Sequence, residues 1–154
     1  MKILDCGLAF GAENDGEPYS NCDTFEELLA ELDRSGMDGG LVRCFYSDTV
    51  GVNYGNRFVS DCVKAAEKRA LYAVWAIVPP YTDEGPKPYK LADVLRQNRA
   101  GAVYISPRTH RWELNTLTMG GTFDLLQQER IPLLLNTACG VNMGQIYAVM
   151  SEFP

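Results

Sequence analysis

Only one histidine occurs in this chain of 154 residues, and any search for chemistry starts there. His110 is the one side chain whose ordinary pKa lies near neutrality, so it can take up and release a proton at physiological pH. Set against Asp48 it would form a metal-free acid–base couple; set against Cys139 it would activate a thiol nucleophile. A plainer reading leaves it a solvated loop residue beside Arg108 and Arg111, whose positive charges would lower its pKa. Arg108 itself has the planar fork that grips a carboxylate through two parallel hydrogen bonds. Tyr46 and Asn136 add a hydroxyl and an amide as further anchors. Cys139, next to Gly140 near the start of a helical stretch, stands where a helix N-terminus favours thiolate; a plain small residue in a tight turn is the competing account.

Composition narrows the field. Fourteen Lys and Arg, scattered singly, stand against twenty Asp and Glu, for a net charge of −6. That balance gives no footprint for a nucleic-acid backbone or an anionic membrane surface. No apolar run approaches the roughly 20 residues of a membrane span. Met1-Lys2 leads into a strand rather than a signal-peptide core, so a cytoplasmic location is the expectation. The five cysteines, Cys6, Cys22, Cys44, Cys62 and Cys139, include no CxxC pair, and with one histidine they cannot supply the usual zinc spacings. Their odd number also speaks against a disulfide framework. Small buried hydrophobes at Cys44 and Cys62, with reduced thiols elsewhere, are expected. With 46% hydrophobic and 22% charged residues, the chain fills one ordinary core, read as a single domain over 1–154.

The hydrophobic pattern says what must hold these residues. Ile3 to Gly11 reads as a buried strand with Asp5, Gly7 and Ala9 on one face. Ala12 to Asn21, polar and rich in Gly, Pro and Asn, is a loop. Asp23 is expected to cap a helix with Glu26 completing a capping box, Phe25, Leu28, Leu29 and Leu32 forming its apolar stripe, and Gly36 stopping it. The spacing then predicts a second strand over 40–46, a helix over 56–68 and a third strand over 71–78 closed by Pro79-Pro80. A helix over 91–98, a fourth strand over 101–106, a helix over 122–129, a fifth strand over 131–137 and a helix over 141–153 follow. Five β-loop-α units of about 30 residues each give the spacing of parallel strands joined by right-handed crossovers. In such a sheet Tyr46 and Asp48 follow the second strand, Arg108 and His110 the fourth, and Asn136 and Cys139 the fifth. Those carboxyl ends are where α/β folds place ligands. Asp5 is expected in the core, accepting hydrogen bonds there; Trp75, Tyr104 and Trp112 either line a pocket or fill the core.

Phe25 to Val42, FEELLAELDRSGMDGGLV, resembles the first helix and second strand of amidohydrolase-related proteins. This group of the amidohydrolase superfamily includes metal-dependent decarboxylases, hydratases and lactonases. Gly55-Asn56, Ala76 to Pro80, Gly101 to Pro107 (GAVYISP) and Arg130 to Thr137 (RIPLLLNT) are similar in the same order. The resemblance implies a TIM barrel, with its site on the loops after the strands and a divalent metal such as zinc as cofactor. It implies ligands from a His-x-His pair on strand 1, a His at the end of strand 5 and an Asp on strand 8. Carried across residue by residue, those places are Gly7, Ala9 and Asn136, and strand 8 has no counterpart. Tyr104 stands where many relatives have a lysine. Glycine and alanine bring no ligand atom, and Asn136 only a neutral carbonyl oxygen, so no metal cofactor is expected.

A closed barrel typically needs about 250 residues, so the expected fold class is α/β, with about five of eight TIM-barrel strands in this chain. Three accounts stay open: the chain is part of a longer protein, another chain supplies the missing units, or five strands stand as an open sheet. The functional expectation is an amidohydrolase-like hydrolase or lyase with a degenerate metal site, acting on or binding a small carboxylate-bearing molecule. Asp48 and His110 would be catalytic, and Tyr46, Arg108, Asn136 and Cys139 would hold the ligand in the room left by the lost imidazoles. The alternative is a non-catalytic assembly module, homo-oligomeric or completed by further residues or a partner chain. A polar-rimmed pocket at Arg108, Asn136 and Tyr46 would mark the first; an apolar interface along the first and fifth strands would mark the second.

Overall fold

Along five short apolar strands, successive side chains point to opposite sides, and that division builds the molecule. The computed structural model describes residues 2–11, 22–135 and 141–153. Its strands are β1 (Leu4–Phe10), β2 (Gly39–Cys44), β3 (Ala70–Ala76), β4 (Ala100–Ile105) and β5 (Leu133–Leu135). All neighbours pair in parallel, in the order β1-β2-β3-β4-β5. The helices are α1 (Phe25–Ser35), α2 (Tyr46–Thr49), α3 (Val52–Ala65), α4 (Pro88–Gln97), α5 (Thr116–Gln128) and α6 (Met143–Glu152). Spatial order equal to chain order, with a helical crossover between strands, is how successive units of a (β/α)₈ barrel are laid down. The chain is therefore five such units, curled as part of a barrel wall. Among the described residues, no helix is long and apolar enough to cross a membrane.

One sheet face is buried under the helices. Phe10, Val42, Leu71, Trp75, Val103 and Ile105 meet Leu28 and Leu32 of α1, Val59 and Val63 of α3, Leu91 and Leu95 of α4 and Phe123 of α5. Each such side chain contributes about 1.5–3 kcal/mol by leaving water. The opposite face, which a closed barrel turns to its axis, carries Leu41, Val74, Ala76, Ala102, Tyr104 and Leu134, joined by Val52. Trp75 thus faces the helices, donating its indole N–H to Ser60 Oγ at 2.8 Å, and Trp112 belongs to the same core; neither lines an axial pocket.

Local chemistry shifts several expected boundaries. Thr24, not Asp23, caps α1, and its capping-box partner is Glu27. Glu27 also accepts the Asp23 N–H at 2.7 Å, so both backbone donors before the helix use one carboxylate. The four-residue α2 is too short for a periodic pattern to announce it. In β1, two residues, Cys6 and Gly7, oppose the single Leu41 of β2 between Asp5 and Leu8. That bulge breaks the alternation and turns the Asp5 carboxylate onto the Gly7 N–H, at 2.7 Å. Asp5 is partly exposed and satisfied within its own strand, not by the core.

The β2–β3 ladder ends at Val42 opposite Ala73, three residues before β3 does. Beyond it, Asn56 of α3, only 2% exposed, takes the place of a strand. Its Nδ2 donates to the Ala76 carbonyl at 2.9 Å, and its Oδ1 accepts the Ala76 N–H at 2.8 Å. A side-chain amide has the same donor and acceptor as a peptide group, so β2 can part from β3 without orphaning a buried backbone pair. The start of α3 fills the gap. Gly55 lets it close on α2, since a Cβ there would stand 2.1 Å from the Ser47 nitrogen.

Replacing Asn56 by Ala leaves both Ala76 groups buried and unpaired. At about 1–3 kcal/mol for each unsatisfied group, Asn56→Ala should lower the unfolding free energy by roughly 2–5 kcal/mol, read from the urea midpoint. A loss below about 1 kcal/mol would mean that water reaches Ala76.

Candidate active site

The site is assembled by the turns that follow β2 and β4. After Cys44 the Phe45 N–H donates to the Phe10 carbonyl at 3.0 Å, and α2 begins at once, bringing Ser47 and Asp48 over the end of the sheet. After Ile105 the chain makes one tight turn, with the His110 N–H on the Ser106 carbonyl and the Trp112 N–H on the Pro107 carbonyl, both at 3.0 Å. Arg111 closes it in the left-handed conformation, at φ 56°. This turn sends Arg108 and Thr109 outward and His110 inward.

The two turns meet through Asp48. His110 Nε2 lies 3.1 Å from the Ser47 carbonyl oxygen and 3.3 Å from Asp48 Oδ1, and the Tyr104 hydroxyl donates to the same Oδ1 at 3.0 Å. His110 and Asp48 side chains are only 9% and 16% exposed. With two oxygens facing Nε2, the ring proton belongs there. Burial pulls the imidazole pKa down, but the hydrogen bonds to Asp48 and Ser47 and the charges of Asp48 and Glu84 outweigh it. The net shift is upward from 6.5. Among the described residues Nδ1 is buried without a hydrogen-bond partner, so the hydrogen bonds that favour the charged ring are made at Nε2. The expected lowering by Arg108 and Arg111 is overturned because the turn faces the imidazole to carboxylates. Burial, then the Asp48 charge, pushes the Tyr104 phenol far above its usual range, so it stays a donor.

Beside this cluster the axial face of the sheet holds a cavity of about 330 Å³, lined by Gly7, Arg43, Val74, Tyr104 and Leu134, with Cys6, Leu8 and Leu135. The Arg43 guanidinium carbon lies 4.4 Å from the Phe45 ring centroid and 5.6 Å from that of Tyr104. Among the described residues it has no carboxylate partner. A cation held on two rings, with N–H edges that no described residue claims, is arranged for a planar anion. A larger groove, about 490 Å³, lies between α5 and α6; Gln127 and Arg130 are the only polar side chains among its linings, and it holds no acid–base pair.

Of the residues singled out in the sequence, Asp48 and His110 come together. Tyr46 and Arg108 do not join them in one pocket. The Tyr46 ring packs against Phe58 at 5.4 Å and Tyr54 at 6.0 Å, on the flank of α3. Arg108 lines a separate, exposed groove with Trp112, Val141 and Gln145. Asn136 and Cys139 lie outside the described residues. Burial pushes the Cys44 and Cys62 thiols up to about 11, leaving neither as a thiolate near neutrality. Arg43 escaped sequence reasoning although its signal was present: Val42 and Cys44 face the helices, so by alternation a charged residue between them must face the axis. Gly7 and Ala9 offer a divalent metal no side-chain donor, and among the described residues no three His, Cys, Asp or Glu gather.

No protein-family model matches the chain, and no curated protein matches it. Among solved structures it is similar to a probable 2-pyrone-4,6-dicarboxylic acid hydrolase from Acinetobacter baumannii, solved with citric acid bound. The TM-score is 0.59 at 13% identity, covering 88% of this chain and 49% of that one. This chain thus spans about half the length of that protein, and the likeness is one of fold.

A histidine whose folded pKa lies above its unfolded value adds stability fully below the unfolded pKa, and the contribution is lost as pH rises through the folded one. An NMR titration of the single imidazole should therefore have its midpoint above 6.5, and the urea midpoint should fall over that window. Asp48→Asn should move the imidazole midpoint down and flatten the stability slope. A wild-type midpoint at or below 6.5 would restore the field of Arg108 and Arg111 as the dominant influence.

Proposed function

We propose that this chain is an amidohydrolase-like protein that binds, and acts on, a small carboxylate-bearing molecule without a metal. The observation that carries the reading is Arg43, an axial guanidinium stacked on Phe45 and beside Tyr104, without a carboxylate partner among the described residues, next to the Asp48–His110–Tyr104 cluster. In this reading Arg43 takes the ligand carboxylate, in place of the expected Arg108. Asp48, with Oδ1 held by two donors, keeps its second oxygen for a substrate proton, and His110 is the proton store behind it. The likeness in fold to a hydrolase solved with citric acid bound is in keeping with such a ligand.

Calorimetry on chelator-treated protein tests the binding step with benzoate, citrate and the neutral benzamide. Arg43→Ala should weaken carboxylate binding roughly ten- to a hundredfold, the effect of losing about 1.5–3 kcal/mol from a hydrogen bond to a charged group. Arg108→Ala should leave it unchanged. Benzamide binding as tightly as benzoate, or indifference to Arg43→Ala, would sink the reading.

A second reading, an assembly module, rests on a different observation. β1 and β5 are the two ends of the described sheet, and Ile3 and Leu4, at the start of β1, are 51% and 52% exposed. Apolar groups beside an unpaired strand edge invite a second copy or a partner strand. Light scattering on a sizing column should then give an oligomer that Leu4→Lys with Ile3→Glu dissociates; a monomer at micromolar concentration would remove the support.

A further inference from the structure

Resting on the site just proposed, we infer that its ligand is a monocarboxylate with a compact apolar body, not a di- or tricarboxylate. Among the described residues Arg43 is the only charged side chain lining the cavity. One guanidinium neutralises one carboxylate. The face of that guanidinium is stacked on Phe45, so its N–H edge remains for the ligand, which suits a single planar carboxylate held in the guanidinium plane. A second carboxylate would find no cation among the lining residues. It would meet negative charge instead. Asp48 is hydrogen-bonded to the hydroxyl of Tyr104, which lines the cavity. Asp5 Oδ1 stands 3.5 Å from where a side chain on Gly7 would begin, and Gly7 lines the same cavity. An unpaired carboxylate brought out of water there is strongly disfavoured.

The rest of the lining favours carbon. Val74 and Leu134 stand on the axial face with Leu8 and Leu135 beside them, and the Tyr104 hydroxyl in the same lining is already committed to Asp48. At about 330 Å³ the cavity lies near the bottom of the roughly 300–1,000 Å³ range of small-molecule sites, which fits a body of one ring or one branched chain.

The test is a ranking of ligands on the unaltered protein, so it does not depend on any variant folding. Benzoate and cyclohexanecarboxylate should each bind at least tenfold more tightly than isophthalate and citrate by calorimetry under chelation. Leu134→Ser should weaken benzoate at least fivefold, and Arg43→Ala or Arg43→Gln should weaken it tenfold or more. Citrate or isophthalate binding as tightly as benzoate, with dependence on Arg43, overturns this inference while leaving the carboxylate site standing. Binding of no carboxylate, or binding that ignores both Arg43 substitutions, overturns the site together with it.

Discussion

The double hydrogen bond between the Asn56 side chain and the Ala76 backbone is the constraint on which the arrangement of the site depends. A parallel strand cannot leave its neighbour inside a packed core without stranding peptide groups. Asn56 removes that obstacle on the β2 side of β3, and the parted strand ends admit the first turns of α3. Gly55, one residue earlier, then sets how closely α3 meets Ser47, and Asp48 follows in the next position. Ser60 and Trp75 extend the same polar chain into the helix-side core, Ser60 donating to the Asn56 carbonyl at 2.8 Å. The place of the Asp48 carboxylate is thereby fixed from inside the protein.

The electrostatics follow from this placement. Arg43 and Asp48, both from the β2 side, are not partners of one another; the arginine is spent on Phe45 and Tyr104, the aspartate on Tyr104 and His110. Tyr104 lies between, its ring toward the cation and its hydroxyl toward the carboxylate. A lysine at that position, as in many proteins the sequence resembles, would bring a second positive charge instead of an aromatic surface.

Much of the fold was legible because it rests on two periods. Alternation in the strands and the Phe25, Leu28, Leu32 stripe of α1 both recur in the packing. What was not legible had local causes. The cap of α1 moved by one residue because Thr24 and Glu27 satisfy each other, and both Asp23-Glu26 and Thr24-Glu27 fit the motif. The surroundings of Asp5 were misjudged because the bulge that turns its carboxylate onto the Gly7 N–H leaves no mark in composition. At the site, the Asp48–His110 pairing could be guessed from strand ends, yet the sign of the histidine shift could not. Arg108 and Arg111 are its neighbours in sequence, and only the backbone turn shows that Asp48 and Glu84 are its neighbours in space. Arg43 was missed for the opposite reason: it sits within a strand, where attention went to the apolar residues.

Two side chains, Tyr104 from β4 and His110 from the turn after it, meet at a single oxygen atom of the segment after β2, Asp48 Oδ1. Thermodynamically they form one unit. Removing the carboxylate takes the acceptor from the phenol and leaves the imidazole only the Ser47 carbonyl, whereas removing either donor leaves the other in place. Substitutions within the trio are therefore non-additive, and the loops after β2 and β4 cannot drift independently over generations. Sequence change in one is conditional on the residue held in the other.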